Sequence, residues 1–270
     1  MFGIRIGLWS AGVVLHPSTT AYMNRVIAAG GSLNAAEINA VNKYFIAIAS
    51  IRSKIVRQNF FIGDGLTAAL VPAIYNSDGS STPVGNATDT NTGFVSGDYS
   101  RAGGLGDAAN SSKFLNTGVN PSLNDTLQQN KMTIGVWTLD NQVHNAVLIS
   151  CWDAVNGVSM LYSRRSGNQA YTAINNSGGA TPNVNVTDER GMNLLTRLSS
   201  TSYTYTLNNA DQGITQSSAA ESNTTFLIFR YNTSYGRNKL SGYIIADLLS
   251  SADRTVLFNA WSALVSGVGR

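Results

Sequence analysis

Apolar residues recur along this chain with two different periods. From Tyr22 to Ile48 the spacing is helical. Tyr22 to Ala29 reads as a short helix stopped by Gly30-Gly31, and Ile38, Val41, Tyr44, Phe45 and Ile48 line one face of a second. Asn34 stands at the start of that second helix with Glu37 three residues on, the spacing at which each side chain can bond the other's free backbone amide. From about Leu66 the period drops to two. Expected strands are Ala68–Tyr75, Met132–Leu139, Ala146–Trp152, Val158–Ser163, Ala170–Ile174, Asn193–Leu198, Ser202–Leu207, Thr225–Tyr231 and Leu240–Asp247. Tyr203, Tyr205 and Leu207 alternate with Ser202, Thr204 and Thr206, and Asn208-Asn209 supplies the turn that follows. The chain returns to helical spacing at its end. Ser250 caps the last element, Asp253 sits at its positive end, and Leu257, Trp261, Leu264 and Val268 form its apolar stripe. Many short strands joined by polar turns, without long helices between them, predict an all-β, antiparallel β-sandwich with short N-terminal helices and a C-terminal helix. The expected organisation is an N-terminal arm over 1–21, a helical preface over 22–65, and the sandwich with its closing helix over 66–270.

Composition sharpens this picture. Charged residues make up 12% of the 270, about half the usual quarter, while hydrophobic residues reach 43%. This is a globular chain with a neutral polar surface and not a disordered one. The net charge of +3 comes from 18 basic and 15 acidic residues, and the only adjacent basic pair is Arg164-Arg165. No basic stripe interleaves with aromatics, which argues against a nucleic-acid partner. Cys151 is the sole cysteine, so no internal disulfide forms, and its setting in "AVLISCW" predicts a small core residue. "IRIGLWSAGVVL" imitates a weak secretory leader, but the apolar run is short of the roughly 18 residues of a membrane span. The expectation is a retained arm that docks on another subunit through Phe2, Ile4, Ile6, Leu8 and Trp9.

Reactive side chains are few. His16 and His144 are the only histidines, and each is expected to be a plain polar residue. There is no GxSxG elbow, no HExxH and no CxxC, so neither a metal nor a cofactor is expected. "GLGDAA" (Gly104 to Ala109) loosely matches the dinucleotide fingerprint, but "NSSKFLNTG" after it reads as turn then strand, not as the required helix. "DTNTG" (Asp89 to Gly93) lacks the distal glutamate of a calcium loop and reads as a polar loop. Glu37 and Asp253 are accounted for as helix starters, and Asp188-Glu189 falls in a loop, so no carboxylate pair for glycoside cleavage stands out. Aromatic rings remain. Tyr99, Trp152, Tyr162 and Tyr171, with Arg164 beside them, are the candidate platform for stacking on a sugar ring; burial in the core is the competing expectation for Trp137, Trp152 and Trp261.

The order of these pieces resembles the concanavalin A-like (LamG, jelly-roll) domain of bacteriophage virion proteins. The stretches that carry the resemblance are "AAGGSLNAAEINAVNKYFIAIASI", "RQNFFIGDG" followed by "AALVPAIYN" as the opening strand, "KFLNTGVNP", and the finish "LLSSADRTVLFNAWSALVSGVG". They span about Tyr22 to Arg270, with Asn116, Val119 and Asp253 departing from the family pattern of Asp, aromatic and Glu. The resemblance implies two antiparallel sheets packed face to face, with Phe114 and Leu115 fixing a strand, Gly118 in a turn and Pro121 stopping the run. It also implies a non-enzymatic structural protein of the virion: a capsid decoration, head-fibre or tail-fibre subunit. Such a subunit assembles with other virion proteins and with itself, as a homotrimer, and carries host-glycan recognition as a second role, without nucleic-acid or membrane partners. The alternatives are a polysaccharide depolymerase or glycoside hydrolase on the same fold, and a free-standing lectin.

Overall fold

Local chemistry starts and stops the helices. The computed structural model describes residues 14–75, 85–107, 109, 112–176 and 181–270. The expected interface residues Phe2, Ile4, Ile6, Leu8 and Trp9 lie outside them. α1 spans Pro17–Ala28: proline suits the first helical position, and the His16 side chain accepts from the Ser18 amide. The helix thus begins five residues before Tyr22, inside what the sequence suggested was an extended arm. α2 (Ala35–Ala47) opens with the expected reciprocal pair, Asn34 and Glu37 each bonded to the other's backbone amide. α4 (Ser251–Gly267) opens the same way with Ser250 and Asp253.

Between them run β1 (Ile55–Asn59), a short α3 (Leu66–Ala69), β2 (Thr90–Thr92), β3 (Tyr99–Ser100), β4 (Gly104–Leu105) and β5 (Phe114–Asn116). The longer strands follow: β6 (Met132–Thr138), β7 (Val147–Trp152), β8 (Val158–Tyr162), β9 (Gln169–Asn176), β10 (Thr181–Asn185), β11 (Gly191–Arg197), β12 (Ser202–Leu207) and β13 (Ala210–Thr215). β14 (Leu227–Ile228), β15 (Arg230–Tyr231), β16 (Ser234–Tyr235) and β17 (Leu240–Ala246) complete the set among the described residues. One sheet has the order β13-β12-β11-β6-β17-β4-β3, with β1 also on β17; the second has the order β10-β9-β8-β7-β14-β5-β2; β15 and β16 form a separate hairpin.

Three apolar clusters explain how the layers stack. Leu115, Ile134, Leu148, Leu161, Leu195 and Tyr243 belong to the core between the sheets. Trp137, Leu194 and Ile244 turn the other way and pack against Tyr44, Phe45 and Trp261, so α2 and α4 cover the outer face of the first sheet. On the outer face of the second sheet a small buried cluster of Val158, Met160 and Ala173 is screened by Tyr162 and Tyr231.

Two expectations fail for physical reasons. Ala68–Tyr75 is not a strand: α3 and a turn occupy it, and a lone bridge joins Ile74 to Gln58. The opening strand is β1, whose Arg57, Gln58 and Asn59 are fully buried although polar. Thr225–Tyr231 is broken at Phe229, whose φ of 68° is left-handed.

β1 is buried because its polar groups satisfy one another. The Arg57 guanidinium donates to Asp89 Oδ1 (2.7 Å), to the Tyr243 hydroxyl (2.7 Å) and to the Asn86 carbonyl (2.8 Å). Tyr243 in turn donates to Asp89 Oδ1 (2.6 Å), and Asn59 to Asp89 Oδ2 (2.9 Å). Arg57 and Asp89 are both 0% exposed. Burial alone would lower the Arg57 pKa, but Tyr243 and Asp89 hold it above its ordinary value; burial pushes the Tyr243 phenol well up, so it stays a donor. Asp89→Ala leaves a buried charge unpaired. It is expected to cost about 3–5 kcal/mol in urea denaturation, whereas a change at the exposed Val14 shifts the midpoint little.

Candidate functional site

The helix-free face of the second sheet gathers aromatic rings. Tyr162 ends β8 and Tyr171 lies in β9, and the antiparallel pairing of these strands sets them side by side; Trp152 ends β7 at the other end of its ladder with β8, opposite Val158. Tyr231, from the separate hairpin, fills the space between: its ring centroid is 5.8 Å from Trp152 and 6.3 Å from Tyr162. Tyr162 and Tyr171 are 6.2 Å apart, and the Arg165 guanidinium lies 3.9 Å over Tyr171. Trp152 is 40% exposed, an unusual position for the largest side chain.

Beside this row lies a groove of about 430 Å³, with Phe114, Asn116, Trp152, Thr224, Arg230 and Tyr231 in its walls. Arg230 stacks 4.4 Å over Phe114 and donates to the Asn232 carbonyl. Among the described residues, Arg230 is the only Arg, Lys, Asp or Glu in the lining. The hairpin stands over the sheet because of how it is held. Phe229 is fully buried, 5.3 Å from Phe94, and its backbone bonds to Leu148 and Gly236. Its left-handed φ turns the chain out of β14, and Ser150 Oγ then donates to the Arg230 carbonyl.

The floor of the groove is set by "KFLNTGVNP". Phe114 to Asn116 form β5 against β14, as the resemblance implied. Thr117 Oγ1 donates to the Phe226 carbonyl and its own carbonyl receives the Asn86 amide. Gly118 has a φ of 73°, and a Cβ there would stand 2.5 Å from Asn86 Oδ1. Asn86 is the residue whose carbonyl Arg57 holds, so the stretch latches the buried network to the groove wall.

Of the five sequence candidates, Trp152, Tyr162 and Tyr171 come together. Tyr99 does not: it is buried on the other sheet, its hydroxyl donating to Gly63. Arg164 is a brace, donating to Asn168 and to the Asn141 carbonyl, and its neighbour Arg165 takes the place on the ring. Tyr231 and Arg230 were missed because they sit in a strand expected to run unbroken. Cys151 is buried, and burial pushes its thiol up to about 11. His16 caps α1 and stacks on Phe45. "GLGDAA" opens no helix; Gly104-Leu105 is β4. Among the described residues no group of three or more His, Cys, Asp or Glu is placed to hold a metal, and no helix is long and apolar enough to cross a membrane.

The loop carboxylates hold one surprise. Glu189 is buried, its Oε2 accepting from the Arg164 amide (2.6 Å) and Oε1 from Asn238 Nδ2 (2.6 Å). Burial, reinforced by Asp140, pushes its carboxyl from the ordinary 4.5 up to about 7, against the pull of Arg164. Asp140 shares Asn238 Nδ2 at 3.2 Å.

The chain is therefore an antiparallel β-sandwich whose second sheet, among the described residues, has no helix packed on its outer face. No protein-family model and no curated protein matches it. Among solved structures it is similar to the botulinum neurotoxin serotype D binding domain, at 12% identity over 79% of this chain and 52% of that one, with a TM-score of 0.44. It is similar to Trypanosoma rangeli sialidase in complex with 2-keto-3-deoxy-D-glycero-D-galacto-2,3-difluoro-nononic acid, at 11% over 84% and 38%, with a TM-score of 0.45. It is also similar to domains LG4-5 of the mouse laminin alpha1 chain, at 15% over 45% and 36%, with a TM-score of 0.30. The chain spans about half or less of each of these structures.

The folded chain keeps the Glu189 proton to about pH 7, whereas the unfolded chain releases it near 4.5. The stability this group contributes is full below 4.5 and is lost as pH rises through 7. Glu189→Gln is expected to remove this part of the decline, because its amide can still bond Asn238 once that side chain turns over. Urea midpoints for both proteins between pH 4 and 8 test this; parallel curves refute it.

Proposed function

We propose that this protein is a non-catalytic display module that binds glycan in the Trp152 groove. One observation carries the reading: an aromatic-walled, open groove on the sheet face that the helices leave bare. An aromatic ring offers a flat apolar surface to the C–H face of a pyranose, and Asn116, Thr224 and Asn232 supply polar groups for its hydroxyls. The resemblance of "KFLNTGVNP" to phage virion domains supplies the setting. The module is carried on a particle as a decoration, head-fibre or tail-fibre subunit, in a homotrimer, with the chain N-terminal to α1 as its anchor.

A second reading has an observation of its own. A carboxyl raised to about 7 beside Asp140 is the kind of pair a polysaccharide-cleaving enzyme uses. Against it, both Glu189 oxygens are taken up by protein donors and the residue is buried.

A glycan array read with the wild-type protein and with Trp152→Ala tests the leading reading. Bound glycans should be lost roughly tenfold or more on substitution, the scale of an aromatic anchor. Retention of binding by Trp152→Ala counts against the groove. Glycan turnover that vanishes in Glu189→Gln would favour the enzyme. For the assembly, light scattering should give a trimer mass for the whole chain and a monomer mass after removal of residues 1–13. A monomer in both cases rejects it.

A further inference from the structure

The hairpin that walls the groove also walls a second cavity. Asn232 lines the groove and Thr233, the next residue, lines this one. Consecutive residues lie about 3.8 Å apart, so the two cavities share a wall. The second cavity has about 330 Å³ and carries His144, Asn145, Thr233, Ser234, Tyr235 and Arg237 on its walls. Hydroxyls, an amide, an imidazole and a guanidinium line one space, and among the described residues no carboxylate lines it.

Arg237 is the telling residue. It is half-buried, and among the described residues its guanidinium has no hydrogen bond and no ion pair. Four other arginines that lose solvent are spent on backbone carbonyls or carboxylates, Arg25 on Pro72 and Ala73, Arg57 on Asp89, Arg197 on Ile174, Arg270 on Phe60 and Phe61, and Arg165 lies over the Tyr171 ring. A guanidinium fork held beside hydroxyls is built to receive a planar or tetrahedral oxyanion. Arg230 brings a second cation to the same hairpin. It pairs across the strands with Tyr235, and its guanidinium is 5.8 Å from that ring.

We propose that this pocket receives the acidic substituent of a glycan of which another ring lies on Trp152, so that the module selects acidic over neutral saccharides. The inference rests on the glycan reading of the groove. Charge around His144 fits the same geometry. Burial and then Arg237 push the imidazole below its ordinary 6.5, with Asp140 pulling the other way, and its Nε2 is paired with Gln142 Oε1. An anion in the pocket offsets the Arg237 charge and favours the protonated imidazole, so acid-glycan binding tightens as pH falls from 8 to 6.

The test uses calorimetry on the whole protein with four probes: tri-galacturonate, its methyl ester, a sulfated galactose trisaccharide and the unsulfated parent. The carboxylate and sulfate arms tell which oxyanion fits. At least one acidic probe should bind about tenfold tighter than its neutral partner, the scale of a charge-assisted bond, and added salt should narrow the gap. Arg237→Gln should bring the pair to parity without weakening the neutral probe, and Tyr235→Phe should lose part of the preference. Trp152→Ala should weaken both members. A neutral probe bound as tightly as its acid, or a preference that survives Arg237→Gln, overturns the inference and leaves the groove reading standing. Failure of all four probes together with a blank glycan array overturns both.

Discussion

The buried contact of Arg57 with Asp89 and Tyr243 organises this molecule. A guanidinium with no exposed surface demands hydrogen-bond partners, and it finds three on two separate segments: the Asn86 carbonyl and the Asp89 carboxylate in the loop before β2, and the Tyr243 phenol in β17. Each donor is matched, so the charges are held rather than merely neutralised. From Asn86 the constraint passes to Thr117 and Gly118, then to β5, and so to Phe114 and Asn116 in the groove wall. A polar knot between two sheets thus fixes the position of a surface feature on the far side of one of them.

The sandwich is asymmetric in a way that bears on function. Its first sheet is sealed by α2 and α4, which place Tyr44, Phe45 and Trp261 over Trp137 and Ile244. Among the described residues its second sheet has no helix over it, and Tyr162 and Tyr231 screen its small apolar cluster. A ring that screens apolar residues from below can offer its other face to a ligand.

Much of the fold was legible because local rules agreed with the global one. The capping pairs Asn34–Glu37 and Ser250–Asp253, the alternation of β12, and the left-handed Asn208 and Asn209 all act over a few residues. β1 was illegible because its burial depends on Asp89 and Tyr243, far away in sequence; nothing local distinguishes a buried "RQN" from a surface one. β13 was missed for the opposite reason, being an edge strand with only Ile214 buried. In the site, Trp152, Tyr162 and Tyr171 could be picked out as rings in polar company. Tyr231 could not, because the break at Phe229 that swings it onto them is a backbone event. Glu189 was set aside as a loop carboxylate since burial of a loop residue leaves no mark on its neighbours in the chain.

Phe229 joins these levels in one residue. Its ring is clamped in the interior against Phe94 while its backbone sits where only a small fraction of side chains go, and the hairpin hangs from that point. The hairpin's attitude is therefore governed from inside. Changes of volume at Phe94, which no solute could touch, would reach the walls of the Trp152 groove as a tilt. The shape of that groove can drift through substitutions buried beneath it as readily as through those in its walls.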